Sequence, residues 1–152
     1  MAEQLLLMVS YAQSGILSER AASDSLMKSV FADMAKTPRW ADGSGLSRYN
    51  LFTPQNFVSI LNKMHAEVGM PRIKAVFPTG GTGTLSSYYK AEQPYIFAKT
   101  GTLSGVVALS GFLYGQSGKL YSFSILVNNH RSDASSIRRA IETYLTSMRS
   151  SL

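Results

Sequence analysis

An α+β fold is predicted by three features of this 152-residue chain: helical apolar spacing through the first half, three β-prone runs after residue 94, and one amphipathic stretch at the end. Residues 2 to 13 carry Leu5, Leu6, Met8, Val9 and Ala12, a dense spacing that predicts a largely buried helix stopped by Gly15. A second helix is predicted from about Ser18 to Ala35, with Leu26, Val30, Phe31 and Met34 on one face, and Pro38 stands beyond its end. Trp40 to Asn50 reads WADGSGLSRYN, rich in Gly, Ser and Asp and long enough for a functional loop. Thr53 before Pro54 combines a cap with a first-turn proline, and Phe57, Ile60, Leu61 and Met64 continue that helix to about Glu67, where Gly69 and Pro71 close it.

From Pro78 the segment PTGGTGTLSSYY is extended and turn-rich. Strands are predicted at Tyr95 to Thr100, Gly105 to Tyr114 and Leu120 to Asn129. The last alternates Tyr121, Phe123, Ile125 and Val127 against Leu120, Ser122, Ser124 and Leu126. Gln116 to Lys119 is a hairpin loop, which makes the second and third strands antiparallel neighbours. Asp133 or Ser132 caps a final helix with Ile137, Ala140, Ile141, Tyr144, Leu145 and Met148 on one stripe. The helical portion is thus expected at 1–76 and the sheet with its covering helix at 77–152, with no internal repeat.

Composition excludes several function classes. Net charge is +6, but the fifteen basic residues are scattered, Arg138-Arg139 being the densest pair, so no nucleic-acid footprint is present. An anionic partner such as a cell-envelope polymer suits the same charge. There is no cysteine, hence no disulfide framework or thiolate metal site, and His65 and His130 are too far apart in sequence to read as a zinc site. The N-terminus lacks the basic region of a signal peptide. Gly80, Gly81 and Gly83 are not followed by the Lys of a phosphate loop.

The chemistry concentrates at Lys99-Thr100-Gly101, within YIFAKTGTLSG at 95–105. An ammonium, a hydroxyl and a glycine that lets a ligand approach the backbone suit a carboxylate, and the N–H of Thr102 adds a donor beside them. On a regular strand Lys99 and Thr100 would point to opposite faces. A solvated lysine on an edge strand before a turn is the plainer reading of three residues alone.

DGSGLSRYN at 42–50, FPTGGTGTLSSYY at 77–89 and FAKTGTLSGVVALSGFLYG at 97–115 resemble, in that order and spacing, the C-terminal part of the D-alanyl-D-alanine carboxypeptidases of peptidase family S13, the class C low-molecular-mass penicillin-binding proteins. The resemblance covers almost the whole chain, and DGSGLSR joined with KTG is specific. It implies a transpeptidase-like fold, an antiparallel sheet between a terminal-helix layer and an all-helical subdomain. It also implies an acyl-enzyme mechanism on peptidoglycan stem peptides ending in D-Ala-D-Ala, with β-lactams as mimics, no cofactor, and a periplasmic or cell-envelope location.

By that resemblance Lys99, Thr100, Gly101 and Thr102 are the catalytic-strand residues: Lys99 and Thr100 hold the terminal carboxylate, and the Thr102 amide is half of an oxyanion hole. Arg48, with Asp42 and Ser104, is the candidate substrate contact, since a guanidinium on a polar loop can pair with a stem-peptide carboxylate; an ion pair of Arg48 with Asp42 is the structural alternative. Asp42, Ser44 and Ser47 are also suited to shaping the loop through hydrogen bonds to its backbone. At Ser104 some family members carry a larger polar residue.

The family's Ser-x-x-Lys nucleophile lies far upstream of DGSGLSR. The two matches here, Ser25 to Lys28 and Ser87 to Lys90, are in the wrong place, and Ser-x-Asn does not occur. The opening Ala2-Glu3-Gln4-Leu5 resembles the Ala-Glu-x-Leu that follows the family's Ser-x-Asn. The expectation is therefore a C-terminal fragment, inactive alone, whose uncovered sheet edge favours a homodimer or strand exchange. Two rival readings remain: a non-enzymatic peptidoglycan- or partner-binding module using the KTG strand, and a relocated Ser87–Lys90 dyad.

Overall fold

The computed structural model describes residues 1–34 and 36–152. Its elements are α1 (Ala2–Ser14), α2 (Glu19–Lys28), α3 (Pro54–Val76), a 3-10 turn (Gly83–Leu85), β1 (Ile96–Leu103), β2 (Val106–Tyr114), β3 (Leu120–Asn128) and α4 (Ala134–Ser151). This is the α+β order expected from the sequence. They form two compact units, Met1–Asn56 and Phe57–Leu152. No helix of the described residues is long and apolar enough to cross a membrane.

In the first unit α1 ends where Gly15 takes a left-handed conformation (φ 70°) and donates to Tyr11 O at 2.8 Å. The helix is not largely buried as its composition implies. Leu6 and Ser10 are its buried residues, while Leu5, Met8 and Tyr11 are 61%, 55% and 54% exposed. A unit this small has too little chain to cover both sides of a helix. Ser18 caps α2 by accepting from Ala21 N. That helix stops well short of its expected end: the Ser29 hydroxyl bonds back to Ser25 O at 2.8 Å, and turns replace helix at 29–33. Ala35, the expected last residue, lies outside the described residues.

Thr53 and Asn56 begin α3 reciprocally, Asn56 N donating to Thr53 Oγ1 and Thr53 N to Asn56 Oδ1. Gly69 breaks the helix (φ 67°, ψ 168°), as expected, but the chain then resumes a helix to Val76 that the sequence reading ended early. Pro71 falls in the first turn of this second piece, where its missing N–H costs nothing.

The sheet of the second unit has the order β1-β2-β3, both pairs antiparallel. Ser104 and Gly105 (φ 73°) join β1 to β2, and the Gly115–Lys119 loop joins β2 to β3. One face, from Ile96, Ala98, Val107, Leu109, Leu113 and Phe123, packs on Ile141 and Leu145 of α4. Phe112 faces the other way and packs on Leu61 and Ile73 of α3. Asp133 caps α4, accepting from Ser136 N at 2.9 Å. The Ser135 and Ser136 hydroxyls and the Ser136 N–H hold its carboxyl well below the usual range.

Candidate active site

In an antiparallel strand the N–H and C=O of one residue point to the same side, and successive residues alternate sides. Tyr95 O accepts from Tyr114 N, so odd-numbered residues of β1 pair with β2. Ala98 N donates to Pro78 O at 3.0 Å and Ile96 O accepts from Thr79 Oγ1 at 2.7 Å, so even-numbered residues face the outer edge. Thr79 Oγ1 also reaches Gln93 O. Among the described residues the cover over this edge ends at Ala98. Thr100 and Thr102 therefore present their backbone N–H and C=O groups to the open edge, and the Thr100 carbonyl accepts Lys99 Nζ at 2.6 Å.

Side chains alternate between the sheet faces. Lys99 is exposed on the α3 side, in register with Ser110 and Ser124, whose hydroxyls bond each other at 2.8 Å. Thr100 stands on the α4 side and lines a small apolar hollow with Leu85, Tyr88, Leu109 and Ile141. A ligand that meets both must lie along the edge itself, flanked by a cation on one side and a hydroxyl on the other. Gly101 keeps that approach clear: a Cβ there would meet the Ala108 Cβ at 3.4 Å and nothing on the open side. An extended peptide with a terminal carboxylate suits this edge, because its backbone can bond Thr100 and Thr102 while the charge meets Lys99.

The segment that closes the upper half of the edge is itself tightly seated. Gly80 lies so near Tyr89 that a Cβ would fall 1.9 Å from Tyr89 O, and Tyr89 is buried with a positive φ of 53°. Burial, then the Glu142 and Glu92 charges, push the Tyr89 phenol up. Tyr89 N donates to Glu142, which also pairs with Arg139 at 2.6 Å, and Arg139 stacks 4.5 Å from the Tyr88 ring.

The DGSGLSR loop belongs to the first unit. Arg39 and Leu51 bridge its ends, with backbone bonds of 3.0 and 2.8 Å. Asp42 organises the interior, accepting from Ser44 Oγ, Gly45 N, Ser47 N and Asn50 Nδ2 at 2.6–3.2 Å. Burial pushes the Asp42 carboxyl up, but these bonds outweigh it and hold it below its ordinary value. A carboxylate so engaged is a loop organiser. Gly43 abuts α1, where a Cβ would meet the Leu6 Cβ at 2.9 Å. Arg48 and Ser104 are both exposed, Arg48 on this loop and Ser104 in the turn after β1.

Of the Ser-x-x-Lys matches, Ser25 and Lys28 lie on α2 in the first unit. Ser87 and Lys90 flank Tyr89, whose positive φ removes the helical spacing that brings such a pair together. Sequence reasoning missed Arg138, whose Nη2 donates to Thr102 Oγ1 at 2.7 Å, and Thr79, the edge clamp. The basic pair at 138–139 was the only signal of the first.

Residues 1–148 match the D-Ala-D-Ala carboxypeptidase 3 (S13) family. The D-alanyl-D-alanine carboxypeptidase of Actinomadura sp. (strain R39) is 40% identical over 101 residues, 61% of this chain and 19% of that protein. The D-alanyl-D-alanine carboxypeptidase DacB of Haemophilus influenzae is 35% identical over 95 residues, 59% of this chain and 20% of that protein. The crystal structure of penicillin binding protein 4 (dacB) from Haemophilus influenzae, complexed with a β-lactam, superposes with a TM-score of 0.75 at 26% identity over 87% of this chain and 32% of that one. The chain thus spans about a fifth of the length of these curated relatives. The open-edged KTG strand, the Asp42-centred DGSGLSR loop and a match running almost end to end make this chain a member of the D-Ala-D-Ala carboxypeptidase 3 (S13) family.

Proposed function

We propose that this chain supplies the carboxylate- and oxyanion-binding strand of a serine-type D-Ala-D-Ala peptidase acting on peptidoglycan stem peptides in the cell envelope. The observation that carries the reading is the open edge of β1, where Thr100 and Thr102 turn their backbone groups outward beside the Lys99 ammonium. In the whole enzyme a serine hydroxyl adds to the carbonyl of the penultimate D-Ala, passing its proton to a base. The oxyanion rests on the Thr102 N–H, the terminal D-Ala leaves as the protonated amine, and water then releases the acyl group. This chain on its own binds but does not acylate, because neither of its Ser-x-x-Lys pairs stands where the family's nucleophile does.

N-Acetyl-D-Ala-D-Ala and its C-terminal amide, titrated against the chain by NMR, separate carboxylate recognition from general peptide affinity. The acid is expected to bind and the amide to bind far more weakly, and Lys99→Ala is expected to cost the acid roughly tenfold or more, the worth of a charge-assisted hydrogen bond. Equal binding of acid and amide would sink the proposal.

A further inference from the structure

The geometry points to Arg138 as a second cation for the terminal carboxylate of the ligand, a substrate-binding residue that works from the α4 side of β1, opposite Lys99. The inference rests on the reading of this edge as the place where a D-Ala-D-Ala peptide lies. Thr100 and Thr102 are two residues apart on one strand, so both side chains stand on the α4 side, about 7 Å from each other. Arg138 joins them. Its Nη2 donates to Thr102 Oγ1 at 2.7 Å, and its side chain lines the same apolar hollow as Thr100. On the other face, Lys99 Nζ is folded onto the Thr100 carbonyl at 2.6 Å. The open edge is therefore bracketed by cations on both faces.

Neither cation is neutralised among the described residues. Arg138 is partnered by a neutral hydroxyl and Lys99 by a carbonyl. Glu142, which the i,i+4 spacing would offer to Arg138, is taken by Arg139 at 2.6 Å. Two uncompensated cations converging on three residues of strand make the positive potential of an anion site. Arg138 is half-buried at the rim of the hollow formed by Leu85, Tyr88, Leu109 and Ile141, so water screens it less than a free surface arginine. Its bond to Thr102 uses a lone pair of Oγ1 and leaves the proton of that hydroxyl for an acceptor, and the guanidinium keeps further N–H groups. With the penultimate carbonyl on the Thr102 N–H, the terminal carboxylate lies one residue on, about 3.5 Å of extended chain, and falls between the two hydroxyls. There one oxygen faces the Lys99 ammonium and the other the guanidinium.

The test is the ratio of affinities for N-acetyl-D-Ala-D-Ala and its C-terminal amide, taken by NMR titration of the full 152-residue chain and three variants. Arg138→Gln keeps a donor without the charge and should lower affinity for the acid roughly fivefold or more while leaving the amide unchanged. Arg138→Lys should recover part of the ratio. Arg139→Gln removes the same net charge one residue away, where the guanidinium is committed to Glu142 and the Tyr88 ring, and should keep the wild-type ratio. That variant separates position from total charge. A wild-type ratio in Arg138→Gln, or an equal fall in Arg139→Gln, would overturn the inference and leave the reading of the strand standing. A wild-type chain that binds acid and amide equally would overturn that reading, and the inference with it.

Discussion

Phe112→Ala should destabilise the second unit by about 4 kcal/mol, the cost of emptying a fully buried aromatic site. Phe112 is 1% exposed and packs on Leu61 and Ile73, with the Phe77 ring edge-on at 6.1 Å and the His65 ring at 6.0 Å. It is the fully buried residue at the centre of the contact between the sheet and α3, to which Leu120, the Ser122 to Asn62 hydrogen bond and Lys74 over the Phe97 and Tyr114 rings add, while its strand neighbours Gly111 and Leu113 face α4. The cavity cannot close by a local shift, because β2 is fixed on both sides by β1 and β3. Urea unfolding followed by tryptophan-independent far-UV signal measures this loss, with Phe112→Leu as the conservative control expected to cost less than half as much. A loss under about 1 kcal/mol would mean that α3 is not docked on this face.

Gly111→Ala should cost about 3 kcal/mol or more, by overpacking rather than by a cavity. Gly111 is paired with Ala98, and a Cβ there would fall 2.2 Å from Phe97 O and 2.5 Å from Ala98 Cα. Those are backbone atoms of the neighbouring strand, so no rotamer change relieves the clash. The sheet must part locally between β1 and β2, directly beside Lys99. The variant is therefore expected to melt earlier and to lose N-acetyl-D-Ala-D-Ala binding together. Gly101→Ala is the informative contrast for folding, because its Cβ meets only the Ala108 side chain at 3.4 Å. Equal melting temperatures for Gly111→Ala and wild type would contradict the β1-β2 register.

What was legible in the sequence was whatever short-range physics decides. The Asp133 cap, the Gly15 stop, the Gly69 break and the three strands follow from caps, φ preferences and period-2 alternation, and all are present. The KTG strand was visible because its residue types and spacing carry chemistry. Three features were not visible, each for a physical reason. The length of α2 is set by Ser29 bonding back to Ser25, a local competition that periodicity of Leu26, Val30, Phe31 and Met34 masks. The exposure of Leu5 and Met8 depends on how much chain is present to cover α1, which no window of residues reports. The bond from Arg138 to Thr102 spans 36 positions, and only the packing of α4 on the sheet brings the two together. Packing divides the chain between Asn56 and Phe57, because the body of α3 packs with the sheet.

Intact-mass spectrometry of the purified chain after incubation with benzylpenicillin tests the central claim most directly, with Ser25→Ala and Ser87→Ala run beside it. With β1 as the proposed binding strand and neither Ser25 nor Ser87 as the nucleophile, no mass increase is expected in any of the three. A stoichiometric acyl adduct on the unaltered chain would contradict it, and the variant in which the adduct disappears would name the nucleophile.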